Sequence, residues 1–155
     1  MKRPDSANTY LFMAFASSAL FSLAFTAMSV YEVKTAALNP LQLVLVGTVL
    51  ELSVFICEIP TGVVADVYSR RLSILIGQAL IGLGFLVEGS FPAFIPILLA
   101  QVVWGVGYTF TSGATEAWIS EEIGEARTNR AFLTANRQGL LGSLVGLLAA
   151  SLLGA

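Results

Sequence analysis

The chain has 155 residues, of which 56% are hydrophobic and 12% are charged, and its mean hydropathy is +0.82. A soluble domain carries about a quarter of its residues as Asp, Glu, Lys or Arg, so this composition excludes an ordinary water-soluble globule. Eight basic and ten acidic residues give a net charge of −2, which provides no basic footprint for nucleic acid. Histidine is absent, which excludes His-based metal sites and His-based nucleophilic catalysis. We expect an integral membrane protein that is not an enzyme and needs no cofactor or metal.

Five stretches of the sequence are long and apolar enough to form transmembrane helices. A helix needs about 20 apolar residues to cross a hydrocarbon core of about 30 Å, and isolated strands cannot satisfy their backbone in lipid. The predicted spans are residues 10–30, 41–65, 72–91, 94–118 and 131–154. Asn39 and Pro40 form a helix-start signal before the second span. We expect an all-α membrane protein with a single transmembrane domain and short connections, the longest at residues 119–130.

The basic residues are distributed unevenly between the two sides of these spans. With a cytoplasmic N-terminus, the outside holds only Lys34. The seven basic residues inside would be Lys2, Arg3, Arg70, Arg71, Arg127, Arg130 and Arg137. Cytoplasmic loops carry an excess of Lys and Arg. We therefore predict a multi-pass protein of the cell membrane with its N-terminus in the cytoplasm.

The second predicted span carries two glutamates within apolar sequence. Glu51 lies about 15 Å into the span, near the bilayer midplane, and Glu58 lies within about 20° of the same helix face. Gly62 continues this face. A carboxylate in the bilayer interior costs at least about 2.5 kcal/mol and normally faces a bundle interior or a water-filled cavity. Both glutamates are candidates for a substrate or proton pathway, and the alternative is that each is a buried packing partner of a neighbouring span.

Other polar and small residues of the spans have less specific interpretations. Gln101 is a further pathway candidate, although a neutral amide more often serves as an interhelical hydrogen-bond partner. Glu88 lies near the end of the third span, where interfacial water is enough to explain it. Small residues let helix backbones approach closely in lipid. They recur at helix-packing spacing in the last two spans, at Gly105, Gly107, Gly142 and Gly146.

Residues 62–71, Gly-Val-Val-Ala-Asp-Val-Tyr-Ser-Arg-Arg, lie between the second and third spans on the predicted cytoplasmic side. This segment resembles the signature loop of the major facilitator superfamily, which reads glycine, three residues, aspartate, a basic residue, any residue, glycine and two basic residues. The residues that match in register are Gly62, Asp66, Arg70 and Arg71. Val67 replaces the usual basic residue, and Ser69 replaces the usual second glycine.

Three further segments are similar to patterns of the same family. Residues 101–107 resemble its arginine-x-x-x-glycine-x-glycine pattern, but Gln101 stands where the arginine associated with proton coupling is expected. Residues 142–147 are similar to the glycine-rich antiporter motif, with Leu147 in place of its proline. Residues 58–61, Glu-Ile-Pro-Thr, are similar to drug-efflux-like members. The resemblance therefore implies export, and the glutamine weakens the case for proton coupling through position 101.

The resemblance also implies a fold and a mechanism. The family has twelve helices in two six-helix halves built from inverted repeats, so five spans correspond to part of the N-terminal half. The implied function is a secondary transporter of small molecules, exporting by alternating access. Its partners would be the lipid bilayer, a small-molecule substrate, a proton, and a missing C-terminal half or another subunit. The alternative function is a truncated or stand-alone membrane protein without transport activity.

The signature segment has an implied role as a latch between two helix bundles. Asp66 and Arg70 are four residues apart and can pair. A carboxylate held at the cytoplasmic interface can hold the bundles in the outward-facing state, with Gly62 and Arg71 in the same latch. The alternative interpretation of Arg70 and Arg71 is that they only anchor the topology.

Overall fold

The computed structural model describes residues 6–153, and for residues 125 and 126 it describes the backbone alone. Lys2, Arg3 and Gly154, which belong to the predictions above, lie outside the described residues. Every regular element within residues 6–153 is a helix. In chain order the helices are α1 (Ser6–Lys34), α2 (Pro40–Val67), α3 (Arg70–Ser90), α4 (Phe94–Thr111), α5 (Ala114–Ile123) and α6 (Glu125–Leu152). The all-α prediction is confirmed.

A side-chain cap defines where α2 begins. The side chain of Asn39 accepts a hydrogen bond from the backbone N–H of Gln42 at 3.0 Å, and the backbone N–H of Asn39 donates to the Gln42 side chain at 2.9 Å. This reciprocal pair satisfies two backbone donors that the first helical turn leaves free. Pro40 is the first residue of α2, as the Asn-Pro signal predicts, because its ring fixes a helical φ and it has no N–H to lose.

The predicted fourth span, residues 94–118, lies within the apolar segment Phe94–Ile123, but this segment contains two helices rather than one, and the predicted connection after it is mostly helical. α4 ends at Thr111 and α5 begins at Ala114, with Gly113 at φ +69° in the turn between them. Residues 119–130 are helical except at Gly124, which has φ +79°. Only glycine enters this backbone region without a steric penalty, so two glycines divide the segment into three helices.

Among the described residues, four segments are long and apolar enough to cross a membrane: Ser6–Lys34, Pro40–Val67, Arg70–Ser90 and Phe94–Ile123. The fifth predicted span lies in α6, which is not among these four. The N-terminal half of α6 is polar because it carries Arg127, Arg130 and Arg137. Large apolar side chains are exposed on the spanning helices, including Phe12 at 70% and Phe55 and Ile59 at 78%. In lipid such side chains need no further cover.

The described residues form two compact units. The first contains the residues up to Tyr31 together with those from Ile119 onward, and the second is Glu32–Trp118. In the first unit α1 and α6 approach closely along two glycines. A Cβ atom at Gly142 would overlap the carbonyl oxygen of Phe15, and one at Gly146 would overlap that of Ala19. This contact needs a helix surface without side chains.

In the second unit α4 packs against both α2 and α3. Its two predicted packing glycines face different neighbours. A Cβ atom at Gly105 would lie 2.9 Å from the Cβ of Ser53 on α2, whereas one at Gly107 would lie 2.8 Å from the Cβ of Leu80 on α3. Ile97 and Ala100 of α4 are completely buried. The bare positions of α4 therefore bring two neighbouring backbones close on opposite faces.

We expect Gly107→Ala to destabilise the second unit by about 1–3 kcal/mol, since the added methyl group would meet the backbone of α3. Gly82→Ala on α3 is the matched control, because a Cβ atom there has no described neighbour within 4 Å. The measurement is the free energy of unfolding in mixed detergent micelles. Equal stability of the two variants would contradict the α3–α4 packing.

Candidate functional site

The signature segment is helical at both ends rather than a loop. Gly62 and Asp66 lie in the last turns of α2, and Arg70 and Arg71 are the first residues of α3. Only Tyr68 and Ser69 connect the two helices. The predicted connection, residues 66–71, is shorter in the structure, because α2 continues to Val67 and α3 begins at Arg70.

Ser69, which departs from the family pattern, has a local structural role. Its backbone is extended, with φ −171° and ψ 124°, and its hydroxyl oxygen accepts a hydrogen bond from the backbone N–H of Leu72 at 3.3 Å. This is an N-cap, which satisfies one of the free donors of the first turn of α3. Because φ is extended, glycine is not required at this position.

The two arginines attach the start of α3 to α5. An Nη of Arg70 donates to a carboxylate oxygen of Asp66 at 3.2 Å, and its other Nη donates to the backbone carbonyl of Ala117 at 3.3 Å. The guanidinium carbon of Arg71 lies 6.0 Å from the centre of the Trp118 ring, at the limit of a cation–π contact. The side chain of Asp66 remains 69% exposed. The arrangement fixes Arg70 between two helices and leaves the carboxylate accessible.

The glutamates of α2 lie on a face that the described residues do not cover. Glu51 and Glu58 are both exposed, whereas the buried residues of α2 include Ser53 and Thr61 on its packed face. A Cβ atom at Gly62 would have no described neighbour within 4 Å. Within residues 6–153, these glutamates are therefore not buried against a neighbouring span. Their role in a pathway stays a prediction.

Gln101 lies in different surroundings from the other two pathway candidates. It is 8% exposed, and its Nε2 donates to a carboxylate oxygen of Glu88 at 2.9 Å. Glu88 is only 3% exposed, so the expectation that interfacial water surrounds it is wrong. It points into the α3–α4 contact, where close helix packing excludes water. Gln101 therefore lies beside Glu88, and not beside the exposed glutamates of α2.

Glu32 is not among the predicted site residues, yet it lies near the end of α1 within hydrogen-bonding reach of the Glu88 carboxyl group. Glutamates 56 positions apart give no pattern, so only the fold reveals this contact. By contrast, Ser69 directly before Arg-Arg and an apolar run is a recognisable N-cap signal. Among residues 6–153, no group of three or more Cys, Asp or Glu side chains could hold a metal ion.

The first unit contains an open cavity of about 590 Å³. It is lined by apolar residues of α1, α5 and α6 and by three polar residues of α6, namely Arg127, Arg130 and Thr134. None of the predicted site residues lines it. Its two exposed arginines are among those that predict the cytoplasmic side.

The helices and the signature segment define the class as a multi-pass α-helical membrane protein. The chain is 34% identical over 109 residues to the uncharacterized MFS-type transporter YxaM of Bacillus subtilis, and the match covers 68% of this chain and 26% of that relative. With the signature residues on α2 and α3, this similarity shows that the chain belongs to the major facilitator superfamily. No family model matches the chain, and no solved structure matches it.

We expect Ser69→Ala to lower the free energy of unfolding by about 1 kcal/mol, because the start of α3 loses its cap. Ser69→Gly, which introduces the residue usual in the family, should cost only a few tenths of a kcal/mol, since glycine is itself an acceptable N-cap. Unfolding of both variants in mixed micelles provides the measurement. Equal losses would show that the hydroxyl cap does not stabilise α3.

Proposed function

We propose that this chain is part of a secondary transporter that moves small molecules across the cell membrane by alternating access. The observation that carries the proposal is the open face of α2, where the exposed carboxylates of Glu51 and Glu58 lie in the same helix as Gly62 and Asp66 of the signature segment. The similarity to an MFS-type transporter supports it. A stand-alone membrane protein without transport is the alternative function.

A second bundle is part of this proposal. Alternating access requires one helix bundle to move against another around a central site. The match spans about a quarter of the relative, at 26% of its length, so that the complete transporter would be considerably longer than this chain. We propose that the open face of α2 faces the cavity and the second bundle. On this proposal the chain is one incomplete transmembrane domain, the N-terminal part of a twelve-helix transporter, with α6 as its fifth span.

The proposed latch uses the exposed carboxylate of Asp66. Its pairing with Arg70 orients the carboxylate, and Arg70 is itself attached to α5 through Ala117. A latch of this kind can transmit a movement of α5 to the end of α2. Gly62 leaves space beside Asp66 for a close approach of the second bundle.

Export is the proposed direction, and Glu51 is the proposed group that binds a cationic substrate or carries protons. The direction rests on the resemblance of residues 58–61 and 142–147 to exporters. The assignment to Glu51 rests on its place near the predicted bilayer midplane and on its exposure. Glu58 lies toward the proposed cytoplasmic end of the same face.

In the full-length transporter, Glu51→Gln should reduce export at least about tenfold, because the amide keeps the shape of the side chain but cannot bind a cation or release a proton. The measurement is efflux of ethidium, an amphipathic cation, from reconstituted vesicles. Glu121→Gln, which changes an exposed carboxyl of α5, is the control and should export normally.

Vesicles with residues 1–155 alone should show no flux, and saturable flux from them would contradict the need for a second bundle.

Reporter fusions test the proposed orientation. Fusions after Arg71 and after Arg127 should report a cytoplasmic location, and a fusion after Lys34 should report an external one, because seven of the eight basic residues would then lie inside. A fusion after Leu152 should be external if α6 crosses the membrane. A cytoplasmic signal after Leu152 would instead restrict the spans to the four apolar segments.

A further inference from the structure

Three polar side chains of the second unit meet where α1 ends, α3 ends and α4 begins. Glu88 lies two residues before the end of α3, and Gln101 lies about 10 Å into α4. Glu32 is held near them because its backbone carbonyl accepts a hydrogen bond from the N–H of the buried Leu38 at 3.0 Å. With the N-terminus in the cytoplasm, this cluster lies toward the external side.

One carboxylate oxygen of Glu88 has a donor and the other does not. Oε2 accepts the hydrogen bond from Gln101 at 2.9 Å, whereas Oε1 is buried with no donor among the described residues. Leaving a buried charged acceptor without a donor is unfavourable, because its lost hydration is not replaced. The neighbouring Glu32 carboxyl group is within hydrogen-bonding reach, but two ionised carboxylates are both acceptors. A hydrogen bond between them requires a proton on one of the two.

No described basic side chain neutralises this pair. Arg70 is paired with Asp66, and the groups that act on Glu88 are Glu32 of α1 and the neutral Gln101 of α4. Lys34 lies about 200° around the helix from Glu32. Gln101 also stands where the family pattern has an arginine, so it supplies a hydrogen bond without a charge. Glu88 is buried and Glu32 is partly buried, so two like charges in contact there disfavour each other.

We propose that Glu32 and Glu88 form a proton-binding site in which the two carboxyl groups share one proton, while Gln101 orients Glu88. The proton comes from water and forms an O–H bond on one carboxylate, and the second carboxylate accepts the hydrogen bond from it. This step is a proton transfer only, and it changes no oxidation state. The site is separate from the exposed glutamates of α2, and it depends on the packing of α3 against α4.

This site would add a bound proton to a transporter whose position 101 lacks the usual arginine. Its use in coupling rests on the proposed function, because a proton on the external side can be released when the helices around it separate. Proton binding itself rests only on the contact of Glu32 with Glu88. A spectroscopic test can therefore detect or exclude the bound proton, whatever a transport assay shows.

The test is infrared spectroscopy of the full chain at neutral pH in dodecyl maltoside, a detergent without carboxyl or ester groups. A protonated carboxyl group has a C=O stretching band that is distinct from carboxylate bands and that shifts in deuterium oxide. We expect Glu88→Gln and Glu32→Gln each to remove the intensity of one protonated carboxyl group from the native spectrum. In Glu32→Gln the amide supplies the missing donor, and Glu88 then ionises.

The control is Glu121→Gln, which replaces an exposed carboxyl group of α5 and should leave the band unchanged. Circular dichroism and monodisperse elution identify the variants that fold. If Glu88→Gln does not fold, the comparison of the native chain with Glu32→Gln decides the proposal alone. An unchanged band in Glu32→Gln would overturn the proposal, because Glu88 would then hold its proton by burial without a shared partner. Absence of the band from the native chain would overturn it as well.

Discussion

The close approach of α4 to α2 and α3 is the constraint on which the second unit depends. In lipid, apolar side chains gain little from meeting each other, so helix association relies on close packing and hydrogen bonds. Gly77 and Gly107 bring α3 and α4 so close that a Cβ atom at Gly77 would lie 2.6 Å from the carbonyl oxygen of Gly107. At the same contact the hydroxyl of Ser73 donates to the carbonyl of Phe110 at 2.7 Å. Glycines that let the backbones touch, and hydrogen bonds from short polar side chains, therefore hold α3 and α4 together.

This packing separates the intramembrane carboxylates into two kinds. Glu88 is enclosed because α3 and α4 approach closely around it, and Gln101 provides its donor. Glu51 and Glu58 of α2 stay exposed among the described residues. On the proposed function, the exposed glutamates face the cavity, whereas the enclosed one binds a proton at the contact of α3 with α4.

In the signature segment, Ser69 departs from the family pattern but still allows the chain to turn and begin α3. The start of α3 needs an acceptor for its free N–H groups and a backbone that leaves the helix, and Ser69 supplies both. The segment also needs its arginines to be fixed, and Ala117 and Trp118 of α5 provide the contacts. Because α5 begins only after the turn at Gly113, that turn determines where these contacts lie.

The sequence by itself determined the all-α membrane class, the start of α2 and the signature residues, because length, apolarity and capping act locally along the chain. It did not determine the breaks at Gly113 and Gly124, since a glycine in an apolar run is compatible with a continuous helix until its φ is known. The contact of Glu32 with Glu88, and the partner of Gln101, were decided only by the tertiary structure. Hydrophobic periodicity shows which face of a helix is polar, but it does not show which neighbour that face meets. In this protein the neighbours were selected by glycines that allow backbones to touch, and the sequence marks those glycines without naming their partners.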